Sequence, residues 1–160
     1  MKKIQLTDLL IFIVSAELVG AAAALFVGDF SLLYETVQKP PLSPPAWLFP
    51  VVWTILYALM GISAYIVYSS GSDGKERKTA LGIYTIQLAV NFIWTLVYFK
   101  AGSLLGGAGV ILVLLALIVL MIILFGKVSK LAAVLNIPYL LWAIFASYLN
   151  IAAVIINLFK

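Results

Sequence analysis

The chain has 160 residues, of which 65% are hydrophobic and only 10% are charged, and its formal net charge is +4. A soluble domain has roughly 45–50% apolar and 25% charged residues, so this composition excludes a soluble protein and predicts an integral membrane protein. The sequence contains no cysteine and no histidine, which excludes disulfides, thiolate or imidazole metal sites and a histidine general base.

Five apolar segments are each long enough to cross a bilayer, which takes about 20 helical residues. Polar breaks, two of them short, separate the segments, so neighbouring helices run antiparallel and pack side by side. The sequence therefore predicts an all-α membrane protein, a single domain over residues 1–160 that forms a bundle of five transmembrane helices. The predicted spans are about Leu6–Val27, Ala46–Tyr68, Ala80–Phe99, Leu104–Phe125 and Leu131–Leu158.

The basic residues lie in the loops, where lipid headgroups account for them better than nucleic acid does. With five spans, the amino terminus shares one side of the membrane with the second and fourth loops. Seven basic residues on that side against three on the other predict the amino terminus inside and the first loop outside, in a prokaryotic plasma membrane. The seven are Lys2, Lys3, Lys75, Arg77, Lys78, Lys127 and Lys130, and the three are Lys39, Lys100 and Lys160.

The segment from Lys39 to Tyr57 contains five of the six prolines and two of the four tryptophans. Proline fixes φ and removes a hydrogen-bond donor, so such a loop holds its shape at a membrane surface with few hydrogen bonds. Two interpretations remain open. The segment is either a lid over a pocket for a flat apolar ligand or a rigid connector with an interfacial aromatic belt.

Polar and aromatic side chains also share helical faces inside the spans. These groups either pack and hydrogen-bond between helices or line a cavity for a ligand. The faces are Trp53 and Tyr57 in the second span; Gln87, Asn91 and Trp94 in the third; and Trp142, Phe145, Ala146, Leu149 and Asn150 in the fifth, with Asn157 one heptad further on.

Glu17 is the only acidic residue deep in a span. A charged acid inside a membrane is energetically costly. Glu17 is therefore a proton or cation site, a structural partner for an asparagine or tyrosine, or simply a protonated, uncharged side chain. One acid without a second titratable group is thin evidence for a proton relay. The role of a structural partner is therefore the preferred expectation.

Four glycines lie at the start of the fourth span. Small residues allow helices to approach closely, so this patch predicts either a homodimer contact or a tight crossing within the bundle. The residues are Gly102, Gly106, Gly107 and Gly109.

Taken together, these motifs resemble the TspO/MBR family of tryptophan-rich sensory proteins and translocator proteins. The resemblance covers nearly the whole chain. It is carried by Gln38-Lys39-Pro40, Pro44-Pro45-Ala46-Trp47, Phe49-Pro50-Val51-Val52-Trp53-Thr54, Leu56-Tyr57, Met60-Gly61, Gln87-Leu88-Ala89 with Asn91 and Trp94, Pro138-Tyr139-Leu140, Trp142, Phe145-Ala146 and Leu149-Asn150.

The resemblance implies a five-helix membrane protein, often homodimeric, that binds porphyrins such as protoporphyrin IX among helices one, two, three and five beneath the first loop. No cofactor is required, and the porphyrin is a ligand. The family pocket maps onto Trp47, Phe49, Pro50, Trp53, Asn91, Trp94, Trp142, Ala146 and Leu149. The shared faces add Tyr57, Phe145 and Asn150 as expected ligand-binding residues.

Three functions follow as alternatives. The first is a membrane sensor or binding protein for porphyrins and related apolar molecules. The second is an enzyme that degrades porphyrin with light and oxygen, for which Trp53 and Trp142 are the candidate catalytic residues by resemblance. The third is a small-molecule transporter.

The chain departs from the family pattern at several positions. Leu33 precedes Tyr34 where the family often has tryptophan, and Leu42 replaces a second aromatic residue in the loop. Ile151 and Ile155 stand in place of the tyrosine and arginine of the sterol motif, so cholesterol binding in that mode is not expected.

Overall fold

A computed structural model describes residues 5–29, 35–71 and 74–159. Five helical segments in these ranges are long and apolar enough to cross a membrane, and the described residues include no strand. The predicted all-α, five-helix architecture is therefore confirmed. The helices are α1 (Leu6–Val27), α2 (Leu48–Ser69), α3 (Gly74–Thr95) with a π-helical turn (Leu96–Lys100), α4 (Leu104–Val128), α5 (Lys130–Leu135) and α6 (Ile137–Leu158).

The third span begins earlier than the apolar pattern indicates. Helix α3 starts at Gly74 rather than near Ala80, because the charged residues before Ala80 are good helix formers that continue the helix beyond the apolar run. Arg77 in this extension donates to the backbone oxygens of Tyr68 and Ser70, each at 3.4 Å. The extension is therefore attached to the end of α2.

The fifth span is interrupted at Asn136, where α5 ends and α6 begins. Pro138 lies in the first turn of α6 and has no N–H for the carbonyl of Val134, so a continuous helix would lose this bond. The side chain of Asn136 is fully buried and donates to Ala132 O at 2.9 Å and to Ser63 Oγ at 2.8 Å. The interruption thus ties the fifth span to α2.

Helix α1 lies at the edge of the bundle and packs against α2 and the end of α3. Its only buried residues are Ala16 and Ala23. The crossing with α2 is close at Gly61, where an added Cβ would lie 2.6 Å from Ile13 Cα and 2.8 Å from Phe12 O. Glycine is required there because the two backbones meet.

Helix α4 packs against α3 and both parts of the fifth span. Among the predicted glycines, Gly106 and Gly107 face the π-helical turn of the same chain, where a Cβ would meet Val97 Cγ1 at 3.0 Å and Tyr98 Cδ2 at 2.5 Å. Gly109 has no such neighbour within 4 Å in the described structure. The patch therefore serves a tight internal crossing, and its role in a homodimer stays a prediction.

Some sequence expectations concern residues outside the described ranges. These residues are Lys2, Lys3 and Lys160 of the charge count and Leu33 and Tyr34 before the proline-rich loop.

Candidate ligand cavity

A cavity of about 360 Å³ lies between α1, α2 and the carboxyl end of α3. Its lining combines apolar α1 residues on one side with aromatic rings on the other. The residues are Val14, Glu17, Leu18, Gly20, Ala21, Ala23, Ala24 and Val27 from α1; Phe49, Pro50, Trp53, Thr54 and Tyr57 from α2; and Trp94, Thr95 and Phe99 from α3 and its π-helical turn.

The aromatic wall of the cavity consists of Phe49, Trp53, Tyr57, Trp94 and Phe99. The α2 rings recur every four residues, so they share one helical face. The Trp53 ring centre lies 5.6 Å from that of Tyr57 and 5.9 Å from that of Trp94, with interplanar angles of 35° and 41°. Tyr57 and Trp94 are only 4% and 2% exposed, so the half-buried Phe49, Trp53 and Phe99 supply most of the apolar surface for a flat ligand.

The π-helical turn brings Phe99 into the aromatic wall. In a regular α-helix a residue five positions after Trp94 points about 140° away from it. The wider turn, closed by the bond from Ala101 N to Leu96 O at 2.9 Å, places the rings of Phe99 and Trp94 only 5.9 Å apart. Sequence periodicity missed Phe99 because nothing in the pattern marks a π turn.

A chain of buried hydrogen bonds holds the wall from behind. Tyr57 donates to Asn91 Oδ1 at 3.0 Å, and Asn91 Nδ2 donates to the Tyr139 hydroxyl at 2.8 Å. Tyr139 in turn donates to Gln87 Oε1 at 2.9 Å. Interhelical hydrogen bonding by Gln87 and Asn91 is therefore confirmed, and Asn91 lies behind the cavity rather than in its lining. The central role of Tyr139 was not predicted.

The α6 residues expected in the pocket support the wall from a second layer. Trp94 Nε1 donates to Asn150 Oδ1 at 3.2 Å, and the Trp94 ring packs with Ala146. The Trp142 ring meets Phe49 edge to face at 5.9 Å. The ring centres of Phe145 and Trp142 lie 5.6 Å apart, and Leu149 is buried. The lining residues in the described part all belong to α1, α2 and α3 with its π turn.

The proline-rich loop, residues 38–47, attaches to α6. Asn157 accepts a hydrogen bond from Gln38 N at 3.0 Å and donates to Gln38 O at 3.1 Å, while Tyr148 donates to Pro41 O at 3.0 Å. Trp47 at the end of the loop is 65% exposed and does not line the cavity. The loop is thus fixed beside the entrance to α2, and the cavity lining begins at Phe49.

A tight turn gives the proline-rich loop its shape. Ser43 N donates to Pro40 O at 3.3 Å, and Leu42 has a φ of 66°. Pro41 followed by a residue with positive φ is the pattern of a type II turn, in which glycine or asparagine is preferred at the position of Leu42. Leu42 is 80% exposed, so its side chain gains little from burial to offset the strained backbone.

Comparison with known proteins agrees with this architecture. The model of the TspO/MBR family matches residues 11–156. The chain belongs to the TspO/MBR family. It is 40% identical to the tryptophan-rich protein TspO of Chlorobaculum tepidum, over 87% of this chain and 89% of that protein. Protein CrtK of Rhodobacter capsulatus is 34% identical over 91% and 90%, and the translocator protein of Ovis aries is 38% identical over 73% and 70%.

In this TspO/MBR protein, five of the twelve expected ligand-binding residues line the cavity. These are Phe49, Pro50, Trp53, Tyr57 and Trp94. The resemblance implies helix one as part of the pocket, but its lining residues were not named as ligand-binding, and of them only Glu17 was singled out in the sequence. The apolar residues around Glu17 carry no pattern that separates a cavity wall from a lipid-facing surface.

Proposed function

We propose that this TspO/MBR protein is a membrane binding protein or sensor for porphyrins and related flat apolar molecules, which it holds in the α1–α2–α3 cavity. The observation that carries the proposal is the aromatic wall, in which Trp53 and Trp94 lie side by side with a tilt of 41°. Tryptophan rings stack on a planar macrocycle and contribute apolar contact area. The hydrogen-bond chain behind Tyr57 keeps this surface in place before a ligand arrives.

The cavity volume of about 360 Å³ is near the lower end of the range of ligand pockets, roughly 300–1,000 Å³. A macrocycle therefore fills it completely and displaces one wall outward. Helix α1 is the wall that moves most easily, because only Ala16 and Ala23 are buried on it. Because lipid replaces the protein contacts that α1 loses, the cost is lost van der Waals packing between helices and not exposure to water.

The charges around the cavity favour one orientation of a porphyrin dicarboxylate. Lys100 lies beside the end that contains Phe99, with its Nζ 5.6 Å from the centre of the Phe26 ring. Glu17 lies deeper along α1. The carboxylates of the ligand therefore point towards Lys100, and the apolar edge of the macrocycle points inwards.

Metal-free porphyrin is the expected form of the ligand. The chain has no histidine and no cysteine, so haem iron would need a less usual axial ligand such as tyrosine. We expect protoporphyrin IX to bind at least as well as haem. Parallel titrations that showed much tighter haem binding would refute this expectation.

A dark titration of the purified protein with protoporphyrin IX tests the proposal. Trp53→Ala removes the ring at the centre of the wall, and we expect a loss of affinity of about tenfold, which equals 1.4 kcal/mol. Trp142→Ala acts through Phe49 and is expected to weaken binding less. Trp47→Ala is the matched control, because this exposed tryptophan lies outside the lining.

The Soret band of the porphyrin reports binding in all variants, since tryptophan quenching changes when a tryptophan is removed. Saturable one-site binding that depends on Trp53 supports the proposal. Equal affinity of the Trp53→Ala and Trp47→Ala variants would contradict it.

The contacts of Trp53 favour porphyrin oxidation driven by light and oxygen as a second candidate function. The centre of its ring lies 5.6–6.1 Å from the ring centres of Tyr57, Trp94 and Tyr139, all of which are oxidisable side chains. Trp53→Phe keeps an aromatic surface but removes the indole. Product analysis under light separates the two functions, because binding is retained in this variant whereas tryptophan-dependent photochemistry is lost.

We further propose an inside amino terminus in a prokaryotic plasma membrane. Among the described residues, Lys75, Arg77, Lys78, Lys127 and Lys130 lie on one side, and Lys39 and Lys100 lie on the other. Since the chain has no cysteine, single Ser43→Cys and Ser70→Cys variants report the two sides. An impermeant maleimide added to intact cells is expected to label the first variant only.

The homodimer also remains a proposal. Leu112, Val113 and Gly109 lie on an outward face of α4, where small and apolar residues allow a second copy to pack. Cross-linking of a Gly109→Cys variant in membranes tests this contact. Cross-linking at Gly82→Cys, on α3, serves as the control for random collision.

A further inference from the structure

Glu17 is the only charged residue among the described residues that line the cavity. It lies on α1 one turn from Gly20 and Ala21, which also face the cavity, and it is partly exposed. Porphyrin binding as proposed above turns the ligand carboxylates away from Glu17, so it provides no partner for this charge. Its place in the wall therefore calls for a separate function.

The Glu17 carboxylate has no hydrogen bond and no ion pair within residues 5–29, 35–71 and 74–159. A charged side chain at this depth in a bilayer is costly unless another group compensates it. The structural-partner role expected from the sequence is thus not found among the described residues. A cationic molecule in the cavity would supply the counter-charge that an ionised Glu17 needs.

The surroundings of Glu17 favour a positively charged occupant. The aromatic wall opposite α1 includes Trp53, Tyr57 and Trp94, and the faces of aromatic rings attract cations through their quadrupoles. No lysine or arginine is present in the described lining to compete for Glu17. A carboxylate facing a group of aromatic rings, in surroundings of low polarity, selects a cation over a neutral or anionic molecule of the same shape.

We propose that the cavity binds hydrophobic organic monocations, with Glu17 as their counter-ion and the aromatic wall as their apolar contact surface. The chemical class is an alkyl- or arylammonium compound with an apolar body. This inference rests on the proposed function only in taking the cavity as a ligand site. It adds a specificity that the porphyrin proposal does not contain.

The two ends of the cavity then differ in charge preference. Glu17 and Val27 are ten residues apart on α1, which corresponds to about 15 Å. Lys100 lies near the Val27 end, beside Phe99. A cationic group is held at the Glu17 end, whereas carboxylates are held at the Lys100 end, so a porphyrin and a hydrophobic cation compete for the same aromatic surface.

Three probes of matched shape test the proposal. Naphthylmethyl-trimethylammonium is the cation, neopentylnaphthalene is its uncharged isostere with carbon in place of nitrogen, and naphthylmethanesulfonate is the anion. Binding is measured by equilibrium dialysis against the full chain in nanodiscs of phosphatidylcholine. Empty nanodiscs correct for partition into the lipid.

We expect the wild-type protein to bind the cation about tenfold more tightly than the neutral isostere, and the anion most weakly. Glu17→Gln keeps the shape of the side chain but removes its charge, so the affinities for cation and isostere become equal within about twofold. Glu17→Asp keeps the preference. Asp8→Asn, an acid on the same helix outside the lining, is the matched control and leaves the preference unchanged.

The neutral isostere also checks folding, because its affinity should be the same in the wild type and the Glu17→Gln variant. Equal binding of cation and isostere by the wild type would overturn the proposal, as would a preference that survives Glu17→Gln. If protoporphyrin IX binds but the cation has no advantage, only this inference fails. If neither the porphyrin nor any of the three probes binds, the cavity is not a ligand site and both proposals fail.

Discussion

The crossing of α1 and α2 at Gly61 gives the sharpest prediction about the bundle. An alanine Cβ at this position would lie 2.6 Å from Ile13 Cα, 2.8 Å from Phe12 O and 2.9 Å from Ile13 N. All three atoms belong to the backbone, so no side-chain rotation relieves the overlap. Gly61→Ala must push α1 away from α2, and overpacking of this kind costs about 1–3 kcal/mol.

Gly82→Ala is the matched control for this substitution. Gly82 lies in α3, and an added Cβ finds nothing within 4 Å in the described structure. The control therefore gains helix propensity of up to about 1 kcal/mol without a steric cost. Both substitutions add one methyl group to a helical glycine, but we expect Gly61→Ala to lower the free energy of unfolding and Gly82→Ala to leave it unchanged or raise it.

Unfolding of both variants by titration with SDS, followed by circular dichroism, measures the free energy of unfolding. We expect Gly61→Ala to be destabilised and Gly82→Ala to be unchanged or stabilised. Because α1 forms one side of the cavity, Gly61→Ala should also change the affinity for protoporphyrin IX. Equal stability of the two variants would refute the close backbone contact at Gly61.

Three further predictions concern the loop and the buried hydrogen bonds. Leu42→Gly replaces a residue that is strained at positive φ with one that adopts it freely, and is expected to stabilise the protein by roughly 1 kcal/mol in the same SDS titration. An unchanged stability would argue against the strained turn. Tyr139→Phe leaves Asn91 Nδ2 without its acceptor and should cost about 1–3 kcal/mol; a neutral effect would show that the buried chain is not a stabilising unit. Asn157→Ala removes both bonds to Gln38 and should speed amide hydrogen exchange in the loop, with Asn157→Asp giving an intermediate rate because it retains only the acceptor.

The sequence predicts the membrane architecture well because hydropathy alone determines which segments cross a bilayer. It predicts less of the helix ends, since a span marks the apolar part of a helix and not its last hydrogen bond. Helix α3 thus begins at Gly74, and the fifth span breaks at Asn136 because Pro138 cannot complete the backbone ladder.

The candidate site was only partly predictable. Helical periodicity places Phe49, Trp53 and Tyr57 on one face, and the structure puts them in one wall. The same reasoning cannot tell whether Trp142 lies in the wall or behind it, because both layers are aromatic. It also cannot find Phe99, whose position depends on a π turn that breaks the period of 3.6 residues.

The distribution of the cavity along the chain has a consequence for biosynthesis. All its lining residues in the described structure lie between Val14 and Phe99, so the first three spans supply them before the rest of the chain is made. The groups that fix the aromatic wall, Tyr139 and Asn150, are synthesised later. A nascent chain that has left the ribosome up to α4 therefore contains the complete lining but not its support. The aromatic wall is fixed only when the last helix inserts and supplies Tyr139 and Asn150. During synthesis, a ligand in the membrane therefore binds to a more flexible site than in the finished protein.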